Sequence, residues 1–134
     1  METVKIEYNG ELRTTCTHLQ SGQQIITDAP KDNKGKGEAF SPTDLVATAY
    51  GSCMLTIIGI YCQNNGLNFS KADVGVKKVM GTDPRRVACL EIRLDLSGND
   101  WSEIEQKKVI AAAKACPVAK SVSETMEVKL NFEF

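Results

Sequence analysis

Five cysteines and one histidine are the residues of this chain that could do redox chemistry or bind a soft metal. The cysteines stand at positions 16, 53, 62, 89 and 116, and the histidine at position 18. No C-x-x-C pair occurs, whereas a closed zinc site needs about four ligands at short paired spacings. An odd number of cysteines behind an N-terminus without a signal-peptide pattern also argues against a disulfide framework. The sequence therefore predicts no metal site and leaves one or two cysteines as candidate reactive thiols.

The local sequences around Cys53 and Cys116 differ in how strongly they favour the thiolate form. A cysteine reacts as its thiolate, so a reactive cysteine needs a neighbourhood that favours negative charge. Cys116 precedes Pro117, which is favoured in the first turn of a helix, and the sequence predicts a short helix over residues 118–124. Backbone N–H groups at that end predict a low pKa for Cys116. Cys53 has no such help, and whether the two thiols meet depends on a distance that the sequence leaves open.

Cys53 lies in the middle of the stretch that the rest of the chain must surround, residues 40–62, FSPTDLVATAYGSCMLTIIGIYC. Ser41 as N-cap, Pro42 at the first helical position and Asp44 in the first turn predict a helix start. The helix is apolar on nearly every face, which predicts burial in a core. At about 22 residues it approaches membrane-spanning length. Polar residues interrupt it, however, so we interpret it as a buried central helix.

The face of the helix that carries Cys53 is apolar. Tyr50 and Ile57 share that face at a spacing of 100° per residue, and Ala49 lies close by. These three residues are ordinary core, or they line an apolar substrate pocket around the thiol. Cys62 falls on the opposite side of the helix and is predicted to serve packing.

The remaining elements are mostly strands. Alternating apolar residues and the turn signals Asn9-Gly10 and Ser21-Gly22 predict a three-stranded N-terminal meander. After the central helix we predict strands over residues 72–80, 86–96 and 126–134. A second helix over 101–115 precedes the last strand and is capped by Asp100 with Glu103 or by Ser102 with Glu105. The order indicates an α+β fold in a single domain over residues 1–134, with antiparallel sheets packed on the long helix.

Composition excludes some function classes. The 134 residues include 16 basic and 17 acidic side chains, a net charge of −1. Such a balance offers no electrostatic footprint for nucleic acid or an anionic membrane surface. With no targeting pattern at the N-terminus, we expect a cytoplasmic protein.

Two cysteine motifs in this element order resemble the OsmC/Ohr family of dithiol peroxidases, in a divergent OsmC-like branch. The motifs are SPTDLVATAYGSC and, much later, KACPVAKSV before the closing strand. The resemblance implies that Cys53 is the peroxidatic cysteine and Cys116 the resolving cysteine, which condense to a disulfide after reaction with an organic hydroperoxide. It implies a dithiol reductant and no cofactor. It also implies an intertwined homodimer with its sites at the interface, which the apolar central helix of so short a chain independently favours.

The chain departs from the better-studied branch of the family in its charged residues. That branch has an Arg near the first hairpin, which lowers the thiolate pKa, and a Glu ten residues before the first cysteine, which orients the Arg. Here Arg13 lies near the Arg position, although a solvated strand-face Arg is the alternative, and Thr43 replaces the Glu. Asp44 is the nearest acid, but it lies roughly 15 Å along the helix from Cys53. A non-catalytic dimer that binds a small apolar ligand therefore remains the alternative function.

Overall fold

The computed structural model describes all 134 residues, Met1–Phe134. The elements follow the order β1 Val4–Gly10, β2 Arg13–His18, β3 Gln24–Asp28, α1 Pro42–Asn64, β4 Asp73–Gly81, β5 Arg86–Asp95, α2 Glu103–Lys114 and β6 Glu127–Glu133, with a single 3₁₀ turn at Lys31–Asn33. The chain divides into two compact units, Met1–Val46 and Ala47–Phe134. The α+β class is confirmed.

The N-terminal unit contains the predicted meander. β1, β2 and β3 pair antiparallel in that order, with Ile6 opposite Cys16 and Cys16 opposite Ile25. The alternation of apolar and polar residues in β1 is typical of a strand with one buried face, and this prediction is wrong for the single chain. Val4, Ile6 and Tyr8 on its apolar side are 43%, 60% and 68% exposed. An apolar strand face left open to water is unfavourable unless another surface covers it.

The predicted start of α1 is confirmed in its capping contacts. The Ser41 hydroxyl accepts the Asp44 backbone N–H at 3.1 Å, and the Asp44 carboxylate accepts the Ser41 backbone N–H at 2.9 Å. Two otherwise unpaired donors are thereby satisfied, as in a capping box. At the other end Gly66 has a φ of +65°, and the Leu67 N–H donates to the Cys62 carbonyl at 2.9 Å. This left-handed residue ends the helix.

Burial of α1 is confined to one stripe in the single chain. The predicted all-round burial is wrong here, since Val46 is 37% and Ile60 47% exposed. By length and composition alone α1 could also cross a bilayer, a test that core helices of soluble proteins pass as well. The buried positions recur at helical spacing and are Ala47, Tyr50, Gly51, Met54, Ile58 and Cys62.

The sheet of the second unit is mixed. β4 and β5 pair antiparallel, but β6 pairs with β5 in parallel, with Ile92 opposite Leu130 and Leu94 opposite Phe132. The prediction of antiparallel sheets is therefore wrong for β6. Parallel neighbours need a crossover of a dozen or more residues, usually with a helix, and the segment that contains α2 is that crossover. Apolar and polar residues alternate in the same way in parallel and antiparallel strands. The sequence of β6 therefore does not predict that it pairs with β5 in parallel.

The core of the second unit lies between α1, α2 and the inner face of this sheet. Met54 and Ile58 of α1 and Leu94 of β5 are fully buried and belong to one apolar cluster. α1 lies close to β4 at Gly51, because a Cβ atom at this position would lie 3.1 Å from a methyl carbon of both Val74 and Val76. Only glycine permits this approach without displacement of a neighbour.

Candidate active site

The two candidate redox cysteines lie in different elements of the second unit. Cys53 is half-buried in the middle of α1, and Cys116 follows the end of α2 with no exposed surface. Neither is in a disulfide. Cys53 packs against the buried apolar cluster that contains Cys116. Burial raises the pKa of Cys116, and the neighbouring Cys53 thiol adds to this effect. The structure therefore brings together, as a dithiol, two residues that are 63 positions apart.

The end of α2 explains how Cys116 reaches this position. α2 begins with the capping box of Ser102 and Glu105, one of the two predicted alternatives. It ends at the C-cap residue Ala115, where the Ala115 N–H donates to the Ala112 carbonyl and the Cys116 N–H donates to the Ala113 carbonyl. The predicted short helix after Pro117 is wrong, because residues 117–122 form turns and a bend. Proline lacks the N–H that would continue α2, and the chain turns there instead.

The turn still directs a backbone donor at the thiol. The Ala119 N–H donates to Cys116 Sγ at 3.3 Å. Burial nevertheless dominates and raises the pKa of Cys116, with the interaction with Cys53 adding to it and the Ala119 N–H opposing it. The predicted low pKa of Cys116 is therefore wrong. The local pattern showed the donor but not the complete loss of water around the sulfur, which disfavours the thiolate.

Tyr50 is the predicted pocket residue that is buried. It is 6% exposed, and its pKa is raised by burial first and then by the neighbouring Cys116 and Cys53. Of the other two predicted pocket residues, Ile57 is half-buried and Ala49 is exposed. A cavity of about 520 Å³ lies instead across β4, β5 and β6, between side chains such as those of Arg93 and Lys129, and contains no thiol.

Arg13 lies in the N-terminal unit, where two carboxylates bind it. Its Nη2 atom donates to Glu38 and is 3.5 Å from Asp28 Oδ2. The Glu38 backbone N–H also donates to Asp28 at 3.0 Å, and Arg13 Nε and Asp28 Oδ1 are buried without a partner. The sequence reasoning missed Glu38 and Asp28. The only feature of the sequence that could have indicated them is their position at the two ends of a glycine-rich loop. The folding of that loop brings Asp28 and Glu38 together.

Asp44, the predicted helix-start acid, is engaged in the cap of α1 with Ser41. The remaining cysteines fit packing roles: Cys62 and Cys89 are buried, and burial raises the pKa of Cys62. Cys16 is half-buried in β2, where its sulfur lies 3.6 Å from the Thr14 hydroxyl. No group of three or more His, Cys, Asp or Glu residues in the chain is arranged to hold a metal ion.

The carboxylate of Asp28 predicts an acid-dependent contribution to stability. The Glu38 N–H, chiefly, and the Arg13 charge hold its pKa below the ordinary 3.8, against the opposing effect of burial. A lowered pKa stabilises the fold above the unfolded-state value, and this stabilisation is lost as the pH falls through the folded-state value. We expect Asp28→Asn to lower the free energy of unfolding at pH 7, and the difference from the unmodified chain to narrow below about pH 4.

Urea unfolding at pH 7, 4 and 3 measures this difference. Glu2→Gln, at the exposed N-terminus, is the control and leaves the pH dependence unchanged. A difference that stays constant over this range would show that Asp28 acts through shape and not through charge.

Comparison with known proteins gives one family and several similar structures. The profile of the family described as OsmC-like protein matches residues 35–131. The crystal structure of a proposed osmotic stress induced and detoxification response protein from Psychrobacter arcticus 273-4 is 47% identical, with a TM-score of 0.94 over 99% of this chain and 96% of that chain. Among proteins of curated function, none matches this chain.

More distant structures share the fold alone. An organic hydroperoxide resistance protein OsmC from Legionella pneumophila is 16% identical, with a TM-score of 0.77 over 100% of this chain and 98% of that chain. The organic hydroperoxide resistance protein OhrB of Bacillus subtilis is 15% identical, with a TM-score of 0.69 over 98% of each chain.

Proposed function

This chain belongs to the OsmC-like protein family, and we propose that it is a thiol-dependent peroxidase that reduces organic hydroperoxides in oxidative-stress defence. The observation that carries the proposal is the pair of free cysteines in one core, half-buried Cys53 and fully buried Cys116, with Cys53 packed against the cluster that contains Cys116. A nucleophilic thiol with a second thiol nearby can be oxidised and then closed to a disulfide.

The chemistry proceeds in two displacements. The Cys53 thiolate attacks the distal oxygen of the hydroperoxide, the O–O bond breaks, and Cys53 becomes a sulfenic acid as the alkoxide leaves. The alkoxide then takes a proton from water and becomes the alcohol. The Cys116 thiolate then attacks the Cys53 sulfur, hydroxide leaves, and the two sulfurs form the disulfide. An external dithiol reduces that disulfide by thiol–disulfide exchange and restores the starting state.

The assignment of Cys53 as the attacking thiol agrees with the exposure of the two cysteines. Peroxide must reach the sulfur that it oxidises, and Cys53 has exposed surface whereas Cys116 has none. Tyr50 and Ile57 give the thiol apolar neighbours, which favour an alkyl or aryl hydroperoxide over hydrogen peroxide. Arg13 is retained as the proposed cation for the thiolate on the family resemblance.

Three neighbours support the biological role. The Psychrobacter arcticus relative is described as an osmotic stress induced and detoxification response protein, and two more distant structures are described as organic hydroperoxide resistance proteins. We propose the same kind of detoxification role for this chain, in the cytoplasm, where five unpaired cysteines are kept reduced.

We also propose that the protein works as a homodimer. The exposed apolar side of β1 and the exposed Val46 and Ile60 of α1 are surfaces that a second copy would cover. The family resemblance, which implies an intertwined dimer, agrees with that interpretation.

Titration of thiols with one equivalent of cumene hydroperoxide per chain tests the proposed function. We expect the reduced protein to lose two thiols and the peroxide to be converted to its alcohol, because one disulfide forms per peroxide reduced. Hydrogen peroxide at the same concentration should react more slowly. If no thiol is lost in excess cumene hydroperoxide, the peroxidase assignment is wrong and the alternative, a dimer that binds a small apolar ligand, takes its place.

A further inference from the structure

The sulfur of Cys116 is bound by a backbone group of the turn that follows it. The Ala119 N–H donates to Cys116 Sγ at 3.3 Å. The next N–H along the chain, that of Lys120, donates to the Cys116 carbonyl at 3.2 Å. The turn is thus attached to Cys116 at both its sulfur and its carbonyl, and one of its N–H groups is a ready hydrogen-bond donor to the sulfur.

The two sulfurs of the proposed disulfide differ in what can reach them. Cys53 keeps exposed surface, whereas the relative exposure of Cys116 is 0%. A thiolate that reduces a disulfide attacks one sulfur and expels the other as a thiolate, and access decides which sulfur is attacked. An external reductant therefore reaches the sulfur of Cys53, and the sulfur of Cys116 becomes the leaving group.

A thiolate that leaves into a core is costly unless a donor binds it. Burial raises the pKa of Cys116 and so disfavours its charged form, and the Ala119 and Val118 N–H groups oppose this effect. A charge that appears in a water-poor core without a hydrogen bond is strongly unfavourable. The Ala119 N–H already lies at hydrogen-bonding distance from the atom that becomes charged, and a donor fixed in advance needs no reorganisation.

We propose that the Ala119 N–H stabilises Cys116 as the leaving thiolate when the disulfide is reduced, so that the external dithiol bonds to Cys53 and not to Cys116. This inference rests on the proposed peroxidase function and assigns groups to the reductive half of its cycle. It follows from one hydrogen bond to a sulfur and from the difference in exposure between two sulfurs.

The reduction balances in two exchanges. A thiolate of the external dithiol attacks Cys53 Sγ, the bond between Cys53 and Cys116 breaks, and Cys116 leaves as a thiolate that accepts the Ala119 N–H. The second thiol of the reductant loses its proton and attacks the reductant sulfur bound to Cys53, and Cys53 leaves as its thiolate. The reductant has lost two electrons and two protons and ends as a disulfide. One proton goes to Cys116 and the other to solvent.

This order of events also favours a dithiol over a monothiol as the reductant. A monothiol bound to Cys53 leaves the Cys116 thiolate free to attack Cys53 again and to expel the monothiol. Exchange within one molecule has the advantage of a high effective concentration. Only a second thiol on the reductant itself competes with Cys116 on the same terms.

The position of a trapped reductant tests the direction of attack. The reduced chain is oxidised with one equivalent of cumene hydroperoxide, treated briefly with excess glutathione and quenched in acid. Free thiols are then alkylated in denaturant, and the peptides are mapped by mass spectrometry. Among the adducts of the two cysteines we expect glutathione on Cys53 with the alkyl group on Cys116. Glutathione chiefly on Cys116, or equally on both, would overturn the proposal.

Replacement of the Ala119 N–H by an ester oxygen tests the role of the donor. A synthetic peptide over residues 116–134 begins with Cys116, so it can be ligated to residues 1–115 to give the full chain. Lactic acid in place of Ala119 keeps the methyl group and removes the N–H. A hydrogen bond to a charged group changes an equilibrium by about tenfold or more, and the transition state of exchange carries part of that charge. We therefore expect reduction of the disulfide by dithiothreitol to slow about 5-fold.

The matched control carries the hydroxy-acid analogue of Lys120, because the Lys120 N–H donates to the carbonyl of Cys116 and not to its sulfur. The disulfide of this control should be reduced at the rate of the unmodified chain. If both esters are reduced at one rate, the inference is wrong and the peroxidase function stands. If the unmodified chain forms no disulfide with cumene hydroperoxide, the function fails and the inference fails with it.

Discussion

Cys53→Ser is expected to abolish the reduction of organic hydroperoxides, by about 1,000-fold or more in kcat/KM, because the attacking sulfur is lost and a hydroxyl does not replace it as a nucleophile. Consumption of cumene hydroperoxide with an external dithiol present measures this loss. The four remaining cysteines are retained, so the variant also tests whether another thiol reacts. Two of them, Cys62 and Cys116, have raised pKa values and almost no exposed surface.

Cys116→Ser tests the proposed role of Cys116 as the resolving cysteine. It should consume one peroxide per chain and stop at the Cys53 sulfenic acid, since the thiol that would close the disulfide is missing. Cys16→Ser, in β2 of the N-terminal unit, is the control and should keep the full catalytic cycle. Normal turnover in Cys53→Ser would show that the roles of the cysteines are assigned wrongly. Normal turnover in Cys116→Ser would show that reduction proceeds without the intramolecular disulfide.

Ile6→Glu is expected to convert the proposed homodimer to a monomer. Ile6 is 60% exposed in the single chain and lies between Val4 and Tyr8 on the apolar side of β1. A carboxylate on a surface that the dimer buries would lose its water without gaining a partner, which is strongly unfavourable. Multi-angle light scattering measures the mass of the variant against that of the unmodified chain.

Lys5→Glu is the matched control for Ile6→Glu. Lys5 is the preceding residue of β1, exposed, and points to the opposite side of the strand. The Lys5→Glu substitution introduces the same carboxylate as Ile6→Glu and should leave the dimer intact. A monomeric unmodified chain, or a dimer that survives Ile6→Glu, would contradict the proposed interface. In either case the exposed apolar side of β1 would need another explanation.

The parts of the fold that sequence could predict are those set by local chemistry. The start of α1 depends on Ser41 and Asp44, whose side chains accept each other's backbone N–H, and both capping contacts are present. Pro42 suits the first helical position because it has no backbone N–H to satisfy. The end of α1 depends on Gly66, which adopts the left-handed conformation that glycine favours. The meander likewise follows from alternation and from turn residues at its ends.

The parts that escaped prediction depend on distant partners. The parallel pairing of β6 is decided by the crossover through α2 and leaves no trace in the strand itself. The raised pKa of Cys116 comes from burial under residues far away in sequence, which outweighs the backbone donor that the local pattern revealed. The binding of Arg13 by Asp28 and Glu38 depends on a loop that folds back over 10 residues.

The close approach at Gly51 decides which thiol has freedom to move. Gly51 lies two residues before Cys53 and has no side chain, so the backbone of α1 lies directly against the methyl groups of Val74 and Val76. The helix is therefore the stiff partner, because displacement toward β4 would press its backbone against these two methyl groups. The turn over residues 117–122 is held by two backbone hydrogen bonds, from the Lys120 N–H to the Cys116 carbonyl and from the Ser121 N–H to the Val118 carbonyl, rather than by a continuous helix. We therefore expect the turn to be the compliant partner. A disulfide shortens the sulfur separation to about 2.05 Å, and that travel falls to Cys116.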